Sequence, residues 1–219
     1  MLNKLVLCIT ALLASTAVHA NTIDFSYVSP NTTVITSVSV NSSTLTTYMG
    51  SYNLLEAGST NTIVGFCVDP FQWAYSTPTP YDKRTLDASD FISGGGASRF
   101  VNAQKLFDNA YASLSGNAQT AGFDLALWEI FHDDLNTSSG NIAAVIGTDT
   151  GMLVAANTFL ATLNGWNTTN IYDLTFYGSS QQQDFLTSAL KPSEVPLPAA
   201  LPLFASGLLG FGVIRLRKS

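Results

Sequence analysis

Residues 195–219 limit what this chain can fold into more than any other segment, because they divide into three chemically different parts. A short proline motif comes first, an apolar run from about Leu201 to Ile214 follows, and a basic cluster ends the chain. Counted from the proline motif, the uncharged run approaches the roughly 17–20 residues that a membrane-spanning helix needs. Basic residues stay on the cytoplasmic side of a membrane. The sequence therefore predicts a C-terminal transmembrane helix, with everything upstream on the far side.

This order of parts resembles the PEP-CTERM sorting signal of Gram-negative bacteria, in the variant that begins Val-Pro-Leu-Pro. The residues that carry the match are Val195, Pro196, Leu197, Pro198, the Ser206–Gly210 segment, and Arg215, Arg217 and Lys218. The resemblance implies processing near the proline motif by an exosortase, a membrane-embedded cysteine transpeptidase. It also implies a link to exopolysaccharide or biofilm matrix. A C-terminal anchoring helix that is never cut is the alternative.

Residues 1–20 have the parts of a secretory signal peptide: a basic residue, an apolar core and a small-residue end at Ala20. Signal peptidase would cut after Ala20, and Cys8 and His19 would be lost with the discarded segment. The exported protein would then retain one cysteine, Cys67, and one histidine, His132.

Residues 21–194 carry all fifteen acidic residues of the chain and only five of its nine basic ones, a net charge of −10. This charge argues against nucleic acid and anionic membrane surfaces as partners, since both need cationic patches. A single cysteine excludes an intramolecular disulfide. The length suffices for one domain with its own core. We therefore expect a signal peptide over 1–20, a secreted domain over 21–190, a spacer over 191–194 and the sorting signal over 195–219.

Residue patterning within the secreted domain predicts an α+β fold. β-Branched, strand-like segments occupy residues 33–40, 43–48, 62–69 and 170–177. Apolar residues at helical spacing occupy 98–111, 117–131 and a broken stretch over 141–163. Residues 70–96 are typical of an irregular, aromatic-bearing loop. We expect β-sandwich or barrel-like strands at both ends of the domain, with a helical insertion in the middle.

Two segments, Gly65–Asp69 and Ala121–Ile130, resemble the paired motifs of bacterial surface thioester domains. In that family an aromatic-Cys-apolar strand faces a helix that reads Gln-x-Ala-Leu/Ile-Trp. The family's cysteine and glutamine form an internal thioester, which an external amine attacks to give covalent adhesion. Cys67 matches the cysteine, Ala126–Trp128 matches the helix, and Asp124 stands where the family has glutamine.

The substitution of Asp124 for glutamine leaves two interpretations of the Cys67–Asp124 pair. An ionised carboxylate is a poor acyl acceptor for a thiolate, and its side chain is one methylene shorter. The sequence therefore favours a retained scaffold whose reactive pair has decayed, with Cys67 as a small buried hydrophobe. Trp128 then belongs to the helix core. The alternative is a covalent adhesin with an internal thioester at Cys67.

The segment His132-Asp133-Asp134 combines the residue types from which catalytic sites and metal sites are built. One histidine beside two carboxylates lacks the spaced ligands of a zinc site, and a histidine near a helix C-terminus more often favours the helix dipole. Calcium bound by Asp133, Asp134 and Asn136 is an alternative, although the Gly-punctuated twelve-residue calcium loop is absent. No Gly-x-Ser-x-Gly nucleophile elbow occurs in the sequence. We predict no metal, cofactor or catalytic residue, with a secreted hydrolase using His132 as a further alternative.

Four aromatic residues in the predicted loop are candidate ligand-binding residues: Phe71, Trp73, Tyr75 and Tyr81. Exposed rings stack on sugars, which suits a protein of an extracellular matrix. Packing over the open end of the domain is the alternative. Taken together, the sequence predicts a non-enzymatic structural or adhesive module. It would cross the inner membrane, be anchored there transiently and then reach the cell surface or the matrix, with extracellular polysaccharide as a candidate partner.

Overall fold

The computed structural model describes residues 21–91 and 95–192. The strands in this part of the chain are β1 (Asn21–Val40), β2 (Ser43–Glu56), β3 (Ile63–Cys67), β4 (Thr79–Thr85), β5 (Ile142–Ala144), β6 (Tyr172–Gly178) and β7 (Phe185–Leu190). The α-helices are α1 (Gly96–Ala110), α2 (Gly116–His132) and α3 (Thr150–Thr162). The described residues up to 189 form one compact unit. The fold is α+β, as the sequence predicted.

The strands form one sheet that closes on itself. Neighbouring strands follow the order β2-β3-β7-β6-β4-β1-β5, and β1 also pairs with β2. β1 can pair with both β4 and β2 because different parts of it form the two ladders. Its first residues, Asn21–Phe25, pair antiparallel with β4, while Phe25–Val40 pair antiparallel with β2. The register of the second pairing shifts between Tyr27 and Ser29 and again between Pro30 and Thr32. Such bulges bend and twist a strand, and they tolerate proline.

Helix α2 lies at the centre of the unit. Every residue of α2 from Thr120 to His132 is buried, as expected of a helix that is apolar nearly all round. It packs against α1, α3, β1 and β2. Gly122 allows the close approach of α3, because a Cβ at this position would lie 2.7 Å from the carbonyl oxygen of Met152. The helix that carries Trp128 and Asp124 is therefore held on all sides.

The core has two clusters of buried side chains, one on each side of α2. The first is rich in phenylalanine and includes Phe66, Phe107 and Phe123. The second joins α2 to β1 and β2 and includes Cys67 and Trp128. Adjacent residues of β3 thus point into different clusters, as the alternation of a strand requires.

Three strands lie where the sequence analysis predicted none. β4 falls inside the predicted irregular loop, β5 falls inside the predicted third helical stretch, and β7 follows the last predicted strand. β4 is polar and β5 is short, and both become strands by pairing with β1. β4 pairs with Asn21–Phe25 of β1, and β5 pairs with Val38–Val40 of β1. The helical middle of the domain is therefore interrupted by sheet.

The predicted C-terminal transmembrane helix and the predicted signal peptide lie outside the described residues. Within residues 21–91 and 95–192, no helix combines the length and the apolar character needed to cross a membrane.

Candidate functional site

The fold brings Cys67, at the end of β3, against Asp124 on α2. Both residues are fully buried, at 0% exposure. The two side chains are close enough that the Asp124 carboxyl contributes to raising the pKa of the Cys67 thiol. Trp128 lies one helical turn beyond Asp124 and donates from its indole Nε1 to the carbonyl oxygen of Cys67 at 3.0 Å. The two segments that resemble a thioester domain therefore face each other.

Burial controls the protonation of this pair. It raises the pKa of Cys67 well above its ordinary value, and the Asp124 carboxyl adds to the effect. It also raises the pKa of Asp124 well above its ordinary value, against the opposing hydrogen bond from the Gly50 amide. Burial disfavours the charged form of both groups, the thiolate of Cys67 and the carboxylate of Asp124. The site therefore opposes formation of the thiolate that would act as a nucleophile.

Backbone groups fix the position of both side chains. The Cys67 Sγ donates to the carbonyl oxygen of Asp69 at 3.4 Å. The Gly50 amide donates to Oδ2 of Asp124 at 2.9 Å. The other carboxyl oxygen, Oδ1, is buried with no hydrogen-bond partner among the described residues.

Gly50 is the residue that lets β2 reach Asp124. Its φ of +137° lies in the region that favours glycine. A Cβ at this position would lie 2.1 Å from the carbonyl oxygen of Thr32 on β1. The contact between Gly50 and Asp124 depends on the packing of β2 over α2, which no local sequence pattern records.

His132 lies at the end of α2 and is buried, at 5% exposure. Its Nε2 forms a hydrogen bond with the carbonyl oxygen of Val68. Its ring packs edge-on against Phe71, with 5.2 Å between the ring centroids. Burial lowers the pKa of His132, against the opposing effects of the Val68 carbonyl and Asp69. The ring thus ties α2 to the segment that follows β3.

The segment after β3 presents an aromatic surface. Phe71, Trp73 and Tyr75 are 45%, 58% and 55% exposed. Phe71 and Trp73 line a groove of about 380 Å³ whose other wall is the β1–β2 hairpin, from Val40 to Thr47. The residues that line this groove are uncharged. We name it the aromatic groove.

Hydrogen bonds hold the segment beneath the aromatic groove in place. The Phe71 amide donates to Oδ1 of Asp69 at 2.8 Å. The Gln183 side-chain amide donates to the Asp69 carbonyl oxygen at 3.0 Å, and the Gln183 backbone amide donates to the Trp73 carbonyl oxygen at 3.3 Å. The segment before β7 is therefore hydrogen-bonded to the segment that carries Phe71 and Trp73, and these hydrogen bonds fix the backbone that holds the two rings.

Tyr81 does not belong to this exposed group. It is 1% exposed, inside the core, and its hydroxyl donates to the carbonyl oxygen of Gln183 at 3.1 Å. Its ring lies edge-on to Phe25, with 5.1 Å between centroids. Tyr81 lies on β4, a strand that the sequence analysis did not predict, and this strand turns the ring inward.

Carboxylate oxygens of Glu129, Asp133 and Asp134 lie within 4.8 Å of one another at the end of α2. Burial and the neighbouring Asp133 carboxylate raise the pKa of Glu129 to about 8. The local sequence pattern pointed to Asp133 and Asp134 but not to Glu129. Its position one helical turn before Asp133 was the signal that would have added it.

Comparison with known proteins gives one finding. No protein-family model and no curated protein matches the chain. Among solved structures, the chain is similar to the N-terminal domain of the Streptococcus pyogenes pilus tip adhesin Cpa, with 14% sequence identity and a TM-score of 0.44. The match covers 64% of this chain and 84% of that chain.

Proposed function

We propose that this protein is an exported, non-enzymatic adhesive module that binds neutral polysaccharide of the extracellular matrix through the aromatic groove. The observation that carries the proposal is the set of exposed aromatic rings beside an uncharged, ordered groove. The signal peptide and the PEP-CTERM-like tail support export, and the tail supports a place at the cell surface or in a biofilm matrix. Signal peptidase and an exosortase are the processing partners that these segments imply.

The groove has the chemistry that sugar recognition needs. Sugar rings present C–H faces that pack on aromatic rings, while their hydroxyls need hydrogen-bond partners. Trp73 and Phe71 supply the apolar surface, and Asn41, Gln72 and Gln183 on the groove's walls supply amides. Binding sites commonly combine apolar surface with a few placed polar groups in this way. The absence of charged residues among the groove's described lining favours a neutral glycan over an acidic one.

Substitution of Trp73 tests the groove. We expect Trp73→Ala to weaken binding to a neutral polysaccharide at least tenfold, about 1.4 kcal/mol. Affinity electrophoresis of the exported protein in gels containing dextran, alginate or the producing cell's own matrix polysaccharide measures this. Ile146→Ala is the control, because Ile146 is fully exposed and lies outside the groove.

Two results would overturn the binding proposal. One is a wild-type protein that migrates alike in gels with and without each polysaccharide. The other is a Trp73→Ala protein that is retarded as strongly as the Ile146→Ala control. Retardation by alginate but not by neutral polysaccharide would contradict the neutral-glycan part.

A covalent adhesin is the second candidate, because Cys67 and Asp124 are both fully buried and close enough to interact electrostatically. Condensation of the Cys67 thiol with the Asp124 carboxyl would form a thioester and release one water. Intact mass, with thiol labelling before and after unfolding, distinguishes the two functions. We expect the full mass and a thiol that labels only after unfolding. A mass lower by one water, with a thiol that resists labelling in the unfolded chain, would make covalent adhesion the function.

Asp124→Gln tests whether the scaffold is retained. If the scaffold holds Gln where the thioester family holds it, the Gln side chain would acylate Cys67 and release one ammonia. A mass lower by one ammonia in this variant alone supports a decayed thioester site. An unchanged mass with a normally reactive thiol after unfolding contradicts that interpretation of the pair.

The export and sorting part of the proposal is tested separately, at the ends of the chain. We expect Pro196→Ala protein to accumulate at full length in the membrane. Protein that lacks residues 201–219 should not be sorted. If both variants reach the same location with the same mature mass as the wild type, the tail is not a sorting signal.

A further inference from the structure

The C-terminal end of α2 presents three carboxylates to one another. Glu129 and Asp133 are buried, Asp134 is exposed, and one oxygen of each lies within 4.8 Å of the others. Like charges one helical turn apart destabilise a helix. The negative end of the helix dipole adds to the repulsion. A cation bound among the three carboxyl groups would offset this repulsion when they are ionised.

Glu129 supplies an independent sign of a missing partner. The residue is fully buried, at 0% exposure. Its Oε2 accepts from the Asn136 amide at 3.1 Å. Its Oε1 is buried and has no hydrogen-bond partner among the described residues. A buried carboxylate oxygen without a partner is costly, and such groups are paired or coordinate a metal.

The remaining hydrogen bonds of the cluster orient its oxygens. Asp133 accepts from the Ile142 amide through Oδ2. Asp134 accepts from the Asn136 amide and from the Ser139 hydroxyl, each at 3.0 Å. These donors leave each carboxylate with lone pairs to offer, because a carboxylate accepts about four hydrogen bonds.

Arg99 forms hydrogen bonds with backbone carbonyl oxygens at the C-terminal end of α2. The Arg99 guanidinium donates to the carbonyl oxygens of Ile130 and Asp133, each at 2.6 Å. It satisfies carbonyls that the end of α2 leaves without a helical donor. Asp133 and Asp134 also line an open cleft of about 330 Å³, together with Arg99.

We propose that Glu129, Asp133 and Asp134 bind one calcium ion. Hard carboxylate oxygens without cysteine or histidine fit calcium or magnesium better than zinc or copper. Calcium accepts irregular geometry and six to eight oxygens, so water in the open cleft completes its coordination, whereas magnesium demands a near-ideal octahedron. Extracellular calcium modules bind with a Kd of about 10⁻⁴–10⁻³ M. The ion would fix the end of α2 to the loop that leads into β5.

Calcium titration of the exported protein, purified as the cell processes it, tests this site. We expect isothermal titration to show one ion per chain with a Kd in that range. Calcium at ten times its Kd should raise the Tm by about 3–6 °C for a domain of this size. Magnesium at the same concentration, and sodium chloride at the same ionic strength, should raise it less.

Two variants separate a calcium site from a structural cluster. Glu129→Gln keeps the shape of the side chain and removes one carboxylate ligand, so it should abolish the calcium response. Asp134→Asn, at an exposed position, should fold normally and weaken binding at least tenfold. Asp24→Asn removes the same charge from β1, away from the cluster, and should bind as the wild type.

Either of two results would overturn the proposal. The first is a calcium response no larger than that to sodium chloride at equal ionic strength. The second is a wild-type calcium response in both Glu129→Gln and Asp134→Asn. Loss of the response in Asp24→Asn as well would mean that general charge, and not this cluster, attracts the ion.

Discussion

Asp184 gives the sharpest prediction about stability and pH. It lies directly before β7, and its Oδ1 accepts from the Ser179 amide at 2.7 Å. Burial, with the Asp69 carboxylate nearby, raises the pKa of Asp184 from 3.8 to about 7. Removal of its charge in Asp184→Asn should therefore change stability in a manner that depends on pH.

The sign and size of this pH dependence follow from the linkage between proton binding and folding. The unfolded chain ionises Asp184 at a lower pH than the folded chain does. The stability present below pH 3.8 is therefore lost as the pH rises through about 7. A difference of about three pKa units corresponds to about 4 kcal/mol, which partial contact with solvent reduces to about 2 kcal/mol. Asn has no proton to lose, and it keeps an acceptor for the Ser179 amide.

Urea unfolding of wild type and Asp184→Asn between pH 3.5 and 8 measures the difference. We expect similar midpoints at pH 3.5. At pH 8 the variant's midpoint should be about 1 M higher, for a typical urea dependence of about 2 kcal/mol per molar. Asp24→Asn, at an exposed carboxyl, should show no such divergence. A midpoint difference between Asp184→Asn and wild type that is the same at both pH values would refute the reasoning.

Three further substitutions test the scaffold around the buried pair. Gly50→Ala should destabilise the fold by at least about 2 kcal/mol, seen as a lower Tm, because the new Cβ meets the Thr32 carbonyl oxygen. Gly58→Ala should cost less, because Gly58 also has a positive φ but its Cβ would meet open space. Trp128→Phe should cost about 1–3 kcal/mol in denaturant unfolding, since it leaves the buried Cys67 carbonyl without its donor; no loss would mean that the bond is weak. Cys67→Ala should cost about 1 kcal/mol and leave polysaccharide binding intact; lost binding would give the thiol a role in adhesion.

The strongest local patterns predicted their elements well. The helices around residues 98–111 and 117–131 were identified because apolar residues recur there at helical spacing. The strands of the β1–β2 hairpin and β3 were identified, in part or whole, from β-branched runs. The pairing of the Cys67 segment with the Trp128 helix came from resemblance between motifs, and the structure places the two segments in contact.

β4 and β5 could not be predicted from local pattern, because their neighbours decide them. The sequence Thr79–Thr85 is polar and contains a proline. It becomes a strand because its backbone pairs antiparallel with β1 on one side and with β6 on the other. Ile142–Ala144 is too short to show a period, and it pairs with the far end of β1. The inward orientation of Tyr81 follows from the same pairing.

The sequence by itself determined the parts that depend on short-range chemistry: the acidic balance of the domain, the two central helices, and one cysteine in an aromatic-Cys-apolar strand. The signal peptide and the sorting tail stay predictions from the same kind of local pattern. Tertiary structure alone decided which distant groups meet. It placed the Gly50 amide on Asp124, grouped Glu129 with Asp133 and Asp134, and separated exposed Trp73 from buried Tyr81. The physical reason is that burial and the electrostatic neighbours of a side chain depend on packing between elements far apart in the chain, which no local pattern records.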